Sequence, residues 1–290
     1  MEGHGVKKEE PDLWVDDPMH LKRWLTSIVA VPILAVFLYK APASLFSAFI
    51  GLLAVISLGE YYRIVYKPIR PAVGLIIPLW GGFVGVLLLF TAYASAWHVI
   101  PELIIVNTLV TAFLSIPRFK IHTGVVDVVS KEIQGLIYIP LALATLILLR
   151  MEPNGVRWIF FLVTIVFAGD VGAFYAGRLF GRHKLSPAVS PGKTVEGAVG
   201  GLLTNVIVGY AFMRLFIPHL SVAGSLFFFI AVGVAGQVGD LFESEFKRVQ
   251  QVKDSGAILP GHGGLLDRID ALLFAAPTAY LVKTYFLGGF

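Results

Sequence analysis

Apolar residues run along this chain in long stretches, not in the short alternating or one-sided patterns of a water-soluble domain. A helix that crosses a bilayer needs roughly 20 mostly apolar residues. About nine stretches approach that length. They lie near Trp24–Tyr39, Ala43–Tyr61, Val73–Tyr93, Val99–Ile116, Ile133–Leu149, Trp158–Leu179, Val195–Ile217, Ala223–Glu243 and Leu265–Leu287. The first is short. Pro117–Lys131 is polar enough to read as a loop, and no soluble domain is inserted anywhere. The pattern therefore predicts an all-α, polytopic integral membrane protein with about nine transmembrane helices.

Three regions follow. Residues 1–23 are a polar lead-in with Lys7, Lys8, Glu9, Glu10 and Asp12; no basic-then-apolar run precedes a small-residue cleavage site, so a cleaved signal is not expected. Residues 24–150 hold the first five spans. Residues 151–290 hold the last four, together with polar loops at 180–194 and 244–264.

Composition supports the membrane reading. Hydrophobic residues make up 57% of the 290 and charged residues 14%, against roughly 45–50% and 25% in soluble domains. One soluble core could not hide that much apolar surface. Cysteine is absent, which excludes disulfides, thiolate metal sites and a Cys nucleophile. The net charge of +4 reads first as a topology signal. With nine spans, all Lys and Arg except Lys40, Arg150, Arg157, Arg214 and Lys283 fall on the side of the N-terminus. That side, and the N-terminus with it, is expected to be cytoplasmic. Glycines at small-xxx-small spacing, Gly81/Gly85 and Gly197/Gly201, together with Gly233, Gly236 and Gly239, are expected to let helices approach closely.

Charge inside the spans is expected only in the last four. Asp170 sits in one, Asp240 and Glu243 end another, and Asp267 and Asp270 begin the last. Each charge at membrane depth costs about 2.5–3.5 kcal/mol on insertion scales, so several together need neutralising. Asp240 and Glu243 share one helical face, as do Asp267 and Asp270. A loop of about 20 residues joins the two helices, so they can lie side by side, which brings four carboxylates near one another at the cytoplasmic border. Such hard oxygen ligands suit Mg²⁺, with a second cation as an option. The bland alternative is a ring of helix-end charges paired with Lys247, Arg248 and Arg268.

The joining loop is rich in phosphate-binding chemistry. Lys247, Arg248 and Lys253 supply cationic donors. Gly261, Gly263 and Gly264 let backbone N–H groups reach a ligand, and the helix that follows offers its N-terminus to an anion. His262 reads either as a phosphate contact or as a surface residue. In the other loop, Gly192-Lys193-Thr194 looks like the end of a P-loop, but Pro187 stands where the first glycine belongs and no strand is expected before it. Lys193, Thr194 and Glu196 remain as candidate phosphate or metal contacts.

The stretch Ser244 to Asp270 resembles the signature of the phosphatidate cytidylyltransferase (CDP-diacylglycerol synthase) family. Ser244, Lys247, Arg248, Lys253, Asp254, Gly256, Pro260, His262, Gly263, Gly264, Asp267, Arg268 and Asp270 carry the likeness. Ser190 to Gly197 is similar to that family's second loop, and Asp170 to Arg178 to a third segment. There the family often has Asn-Asp-Thr and this chain has Gly169-Asp170-Val171. The first five spans match only as generic membrane helices.

The resemblance implies a reaction of CTP with phosphatidic acid to give CDP-diacylglycerol and pyrophosphate, a divalent-metal centre and a homodimer. It implies metal on Asp240, Asp267 and Asp270, and phosphate contacts from Lys247, Arg248, Lys253 and His262. Arg268 is expected to brace the acids. No nucleic-acid partner is expected, and a bacterial cytoplasmic or inner membrane is the simplest location. Two other readings stay open: a CTP-dependent transferase for another lipid, such as a polyprenol, and an ion-coupled transporter using Asp170 and Asp240. The transporter predicts inverted repeats and polar residues in both halves, which the sequence does not show; a membrane scaffold has no use for buried carboxylates.

Overall fold

The computed structural model describes residues 31–252, 254–256 and 263–287. The polar lead-in at 1–23, the start of the first span, Lys253 and His262 lie outside the described residues. Among the described residues nine main helices follow in order: α1 (Val31–Lys40), α2 (Ala43–Val65), α3 (Ile76–Tyr93) and α4 (Ile100–Ser115). The fifth, α5, is continuous through Val128–Leu136, a π-helical turn Ile137–Leu141 and Ala142–Met151. Then come α6 (Gly155–Phe180), α7 (Val195–Phe216), α8 (Val222–Val249) and α9 (Leu266–Tyr285). The chain is an all-α polytopic membrane protein.

Seven helical stretches among the described residues are long and apolar enough to cross a membrane. The last predicted span, α9, is long enough at 20 residues, but Asp267, Arg268, Asp270 and Lys283 lower its apolar character. The segment 117–131 is less of a loop than its polarity implies. Short 3₁₀ turns at Ile116–Arg118 and Thr123–Asp127 occupy much of it, and α5 already begins at Val128.

Burial ranks the helices. In the stretch containing α5, 72% of the apolar window is buried, against 17% around α4. So α5 is the axis of the bundle and α4 lies at its rim. The π turn in α5 contains Pro140, which has no N–H for the helical ladder. Outward-facing Leu109, Phe113, Leu203 and Ile207 are largely exposed, as expected where lipid replaces water as the neighbour.

Two aromatic groups stand out in the single buried core of the described residues. One stacks Phe161 on Phe228 with ring centroids 5.2 Å apart and Trp158 alongside. The other joins Tyr61, Tyr138, Phe242, Phe246 and Phe274. Helices α6 and α7 pack backbone to backbone. A Cβ at Gly201 would sit 2.8 Å from the Gly169 carbonyl oxygen, and one at Gly197 2.8 Å from that of Ala173. The glycine spacing is therefore a packing device here.

The polar loop 180–194 is a two-stranded antiparallel ribbon, β1 (Lys184–Ser186) with β2 (Ser190–Thr194). A strand thus does run into α7, contrary to the sequence expectation. It belongs to a hairpin at a helix start, and the glycine spacing of a P-loop is still missing. The other loop is also shorter than 244–264, because α8 continues through Lys247 and Arg248 to Val249.

Candidate functional site

The site forms where the C-terminal ends of α6 and α8 meet the N-terminal ends of α7 and α9. On α8, Asp240, Glu243 and Lys247 fall at i, i+3 and i+7, one stripe of the helix. Gly239 has no side chain, and a Cβ there would lie 2.5 Å from the Asp270 carbonyl oxygen. That close approach sets α8 against the first turns of α9 and brings their carboxylates together.

The acids divide into two groups. In the inner group, Lys247 forms ion pairs with Glu243 and, at 2.9 Å, with Asp267. Glu243 is buried and lies against Asp267. Asp267 also accepts backbone hydrogen bonds from Gly264 (2.8 Å) and Ser255 (3.0 Å). Its carboxylate therefore organises the loop as well as the lysine. Gly263 sits at φ +78°, the left-handed region where a Cβ is costly; this turn directs the Gly264 N–H to Asp267.

In the outer group, Asp170, Asp240 and Asp270 repel one another electrostatically, and Lys193 and Lys247 offset part of that repulsion. Lys193 reaches in from β2 and pairs with Asp240 at 2.6 Å. Both members are partly exposed, at 27% and 38% of their side chains, so a ligand can reach them. Among the described residues, no three Asp, Glu or His side chains are gathered closely enough to hold a metal ion unaided.

Three predicted contacts have local duties. Thr194 caps α7, its hydroxyl accepting from the Gly197 N–H at 3.1 Å. Glu196 accepts from the backbone N–H groups of Arg182 and His183 and meets His183 Nδ1 at 2.6 Å, which anchors the ribbon to α7. Arg248 donates from Nε to the Val189 carbonyl oxygen at 2.9 Å and so ties the end of α8 to the turn of the ribbon. Arg268 is exposed on the first turn of α9.

The expectation that only the last four spans carry charge is overturned. Glu60, near the C-terminal end of α2, is 1% exposed. It accepts from the N–H groups of Leu266 (2.8 Å) and Leu265 (3.1 Å) and from the Ser255 hydroxyl (3.2 Å). It thereby satisfies donors at the start of α9 that the helix cannot satisfy itself. Gly256 and Gly264 pack so near that a Cβ would meet Glu60 at 2.3 and 2.7 Å. The signal was present as a lone acid in the apolar run Ser57-Leu-Gly-Glu-Tyr-Tyr, but its partners are some 200 residues away. Glu132 of α5 is a second buried acid, held by Tyr62 (2.5 Å) and Tyr66 (2.8 Å).

Fold and site together define a helical membrane protein with a lysine–carboxylate site at one end of its bundle. A family model described as the cytidylyltransferase family matches residues 21–286. A phosphatidate cytidylyltransferase of Staphylococcus aureus (strain COL) is 33% identical over 266 residues, covering 88% of this chain and 95% of that protein. One from Staphylococcus epidermidis (strain ATCC 12228 / FDA PCI 1200) is 48% identical over 125 residues, 43% of this chain and 48% of the relative. One from Staphylococcus saprophyticus is 46% identical over 130 residues, 45% and 50% respectively. In these last two the chain spans about half the length of the relative. This chain belongs to the cytidylyltransferase family. The likeness also reaches the first five spans, which the sequence motifs alone left generic.

Proposed function

We propose that the chain transfers the cytidylyl group of CTP to phosphatidate, giving CDP-diacylglycerol and pyrophosphate. The observation that carries this is the convergence of Lys193 and Lys247 with five carboxylates at one end of a membrane bundle. A phosphate oxygen of the lipid attacks the α-phosphorus of CTP. A new P–O bond forms, the bond to the β-phosphate oxygen breaks, and pyrophosphate leaves with that electron pair. The attacking oxygen is already anionic, so no strong base is needed. Catalysis is then positioning and charge neutralisation.

In this reading Lys193 exchanges Asp240 for a phosphate, and Arg248 fixes the ribbon so that Lys193 stays in reach. Asp267 holds Lys247 extended and fixes the backbone N–H groups of Ser255 and Gly264. Lys253 and His262 would add phosphate contacts from the same loop. The donor set fits Mg²⁺: Asp170, Asp240 and Asp270 offer hard oxygens and mutual repulsion that a cation relieves, and substrate phosphates complete the ligands. When bound, the ion would draw negative charge off the phosphates and the leaving pyrophosphate. Asp240 and Asp270, with Asp170 beside them, would hold it; Glu243 and Asp267 remain with Lys247.

We place this end of the bundle in the cytoplasm, where CTP is, in the cytoplasmic membrane of a bacterium, and take the working unit to be a homodimer. The test is a product assay on purified protein in detergent with phosphatidate, α-labelled CTP and Mg²⁺, with and without EDTA. A labelled lipid that EDTA abolishes is the expected result. A labelled lipid insensitive to EDTA would remove the metal. No labelled lipid from folded protein would turn attention to other lipid acceptors.

A further inference from the structure

Beneath the acids lies a cavity of about 640 Å³, within the roughly 300–1,000 Å³ of small-molecule sites. On α5 its wall is one face, Gln134, Ile137, Tyr138, Leu141, Thr145 and Leu148. At 1.5 Å per residue that face is about 21 Å long. On α9 the wall is Leu273, Phe274, Pro277, Thr278 and Leu281. It begins one turn below Asp270 and ends about 16 Å from it by the same rise. Phe242, the neighbour of Glu243, closes a third side. The cavity is therefore a slot along the helix axes, with its upper end under the carboxylates. At its lower end Trp97 stacks on Tyr280, ring centroids 6.5 Å apart.

The wall offers a ligand almost no polar atom. Thr145 and Thr278 donate to the carbonyl oxygens of Ala142 and Phe274. The Gln134 side-chain oxygen accepts from Tyr61 at 2.9 Å. An occupant must be hydrocarbon. At the upper end Tyr138 is 6% exposed, its hydroxyl has no partner among the described residues, and the charges of Glu243, Asp270 and Asp240 act on it. A ligand that passes from charged to apolar surroundings would cross there.

We propose that this slot holds one acyl chain of the phosphatidate substrate, with the headgroup at the acids and the Trp97–Tyr280 pair as its floor. The proposal rests on the functional reading above for the identity of the lipid. Its dimensions agree: one leaflet is half of a hydrocarbon core of about 30 Å, so a chain in place reaches roughly 15 Å below its headgroup. The nearness of its upper end to the charged site, through Phe242 beside Glu243 and Leu273 one turn from Asp270, selects the substrate lipid over a bilayer lipid or a second copy of the protein.

The chain has no cysteine, so Thr145→Cys introduces a single thiol on the slot wall with little change in volume. Leu203→Cys, on the outward face of α7 and 59% exposed, serves as the control. The rate of modification by a small maleimide is measured in detergent. Dioleoyl phosphatidate should slow labelling of T145C at least fivefold, while dihexanoyl phosphatidate and dioleoyl phosphatidylcholine leave it within twofold and L203C is unaffected. Equal protection by phosphatidylcholine would make the slot a general lipid crevice. No protection, or disulfide-linked dimers of T145C on oxidation, would overturn the proposal. In the product assay, Thr145→Trp should raise the KM for dioleoyl phosphatidate about tenfold and leave that for the dihexanoyl form and CTP unchanged. A wild-type protein that makes no labelled lipid would sink the functional reading, while the protection data would still report on the slot.

Discussion

Glu60 and Glu132 are both buried acids from the N-terminal half, and the structure uses them in different ways. Glu132 is enclosed by its own half: Tyr62 and Tyr66 donate to its two oxygens. Glu60, two residues before Tyr62 on α2, reaches the other half and holds the start of α9 and Ser255. Burial alone therefore does not mark a functional acid. The partner does. A carboxylate closed by tyrosines stabilises helix packing, whereas one that binds the backbone of the site loop sets the position of Asp267 and Lys247.

The largest effect should come from the loop that Glu60 braces. Asp267→Ala removes the acceptor for Lys247, Gly264 and Ser255 together, and turnover of labelled CTP into lipid should fall to background while the protein still extracts as a single species. Substantial activity in that variant would take Asp267 out of the site. Next, Glu60→Ala leaves three donors without their acceptor, and the rate should drop about 10–100-fold, the range for partners that orient a site. Glu60→Gln, which keeps one oxygen acceptor, should recover part of the loss in kcat. A Glu60→Ala enzyme with normal kcat would erase the distinction from Glu132.

Lys193→Ala should act more mildly and differently. Its partner Asp240 is partly exposed, so the folded state loses little, and the KM for one substrate should rise more than kcat falls. Unchanged KM values for both substrates would leave Lys193 as a topology charge. The smallest effect on turnover belongs to Glu132→Gln. Kinetics should stay within about twofold, while the thermal midpoint drops with the loss of a buried charge-assisted hydrogen bond, about 1–3 kcal/mol. A large kinetic defect there would place the tyrosine cluster in the reaction path.

Much of the site was legible because its chemistry is local. Asp240, Glu243 and Lys247 lie on one helical stripe, and Asp267 and Asp270 begin the next helix, so their convergence follows from helical spacing. Lys193 was legible as a cation at a helix start. Its pairing with Asp240 was not, because the ribbon that turns it inward has only short, polar strands with no apolar alternation. Glu60 was missed for a related reason: a single acid in an apolar run has no periodicity, and its partners are backbone amides, which no residue type announces.

By itself the sequence determined the class of structure, since long apolar runs have one stable outcome in lipid, where each backbone polar group must be satisfied within its own helix. It also determined which residues could carry phosphate chemistry, through charges too costly to keep at membrane depth without a use. Only the tertiary structure decided which acids face Lys193 and which face Lys247, that α2 supplies the brace for the loop, and that a hydrocarbon slot runs beneath the acids. Those are relations between segments far apart in the chain. They are fixed by side-chain shape and close helix contact, which hydropathy averages away.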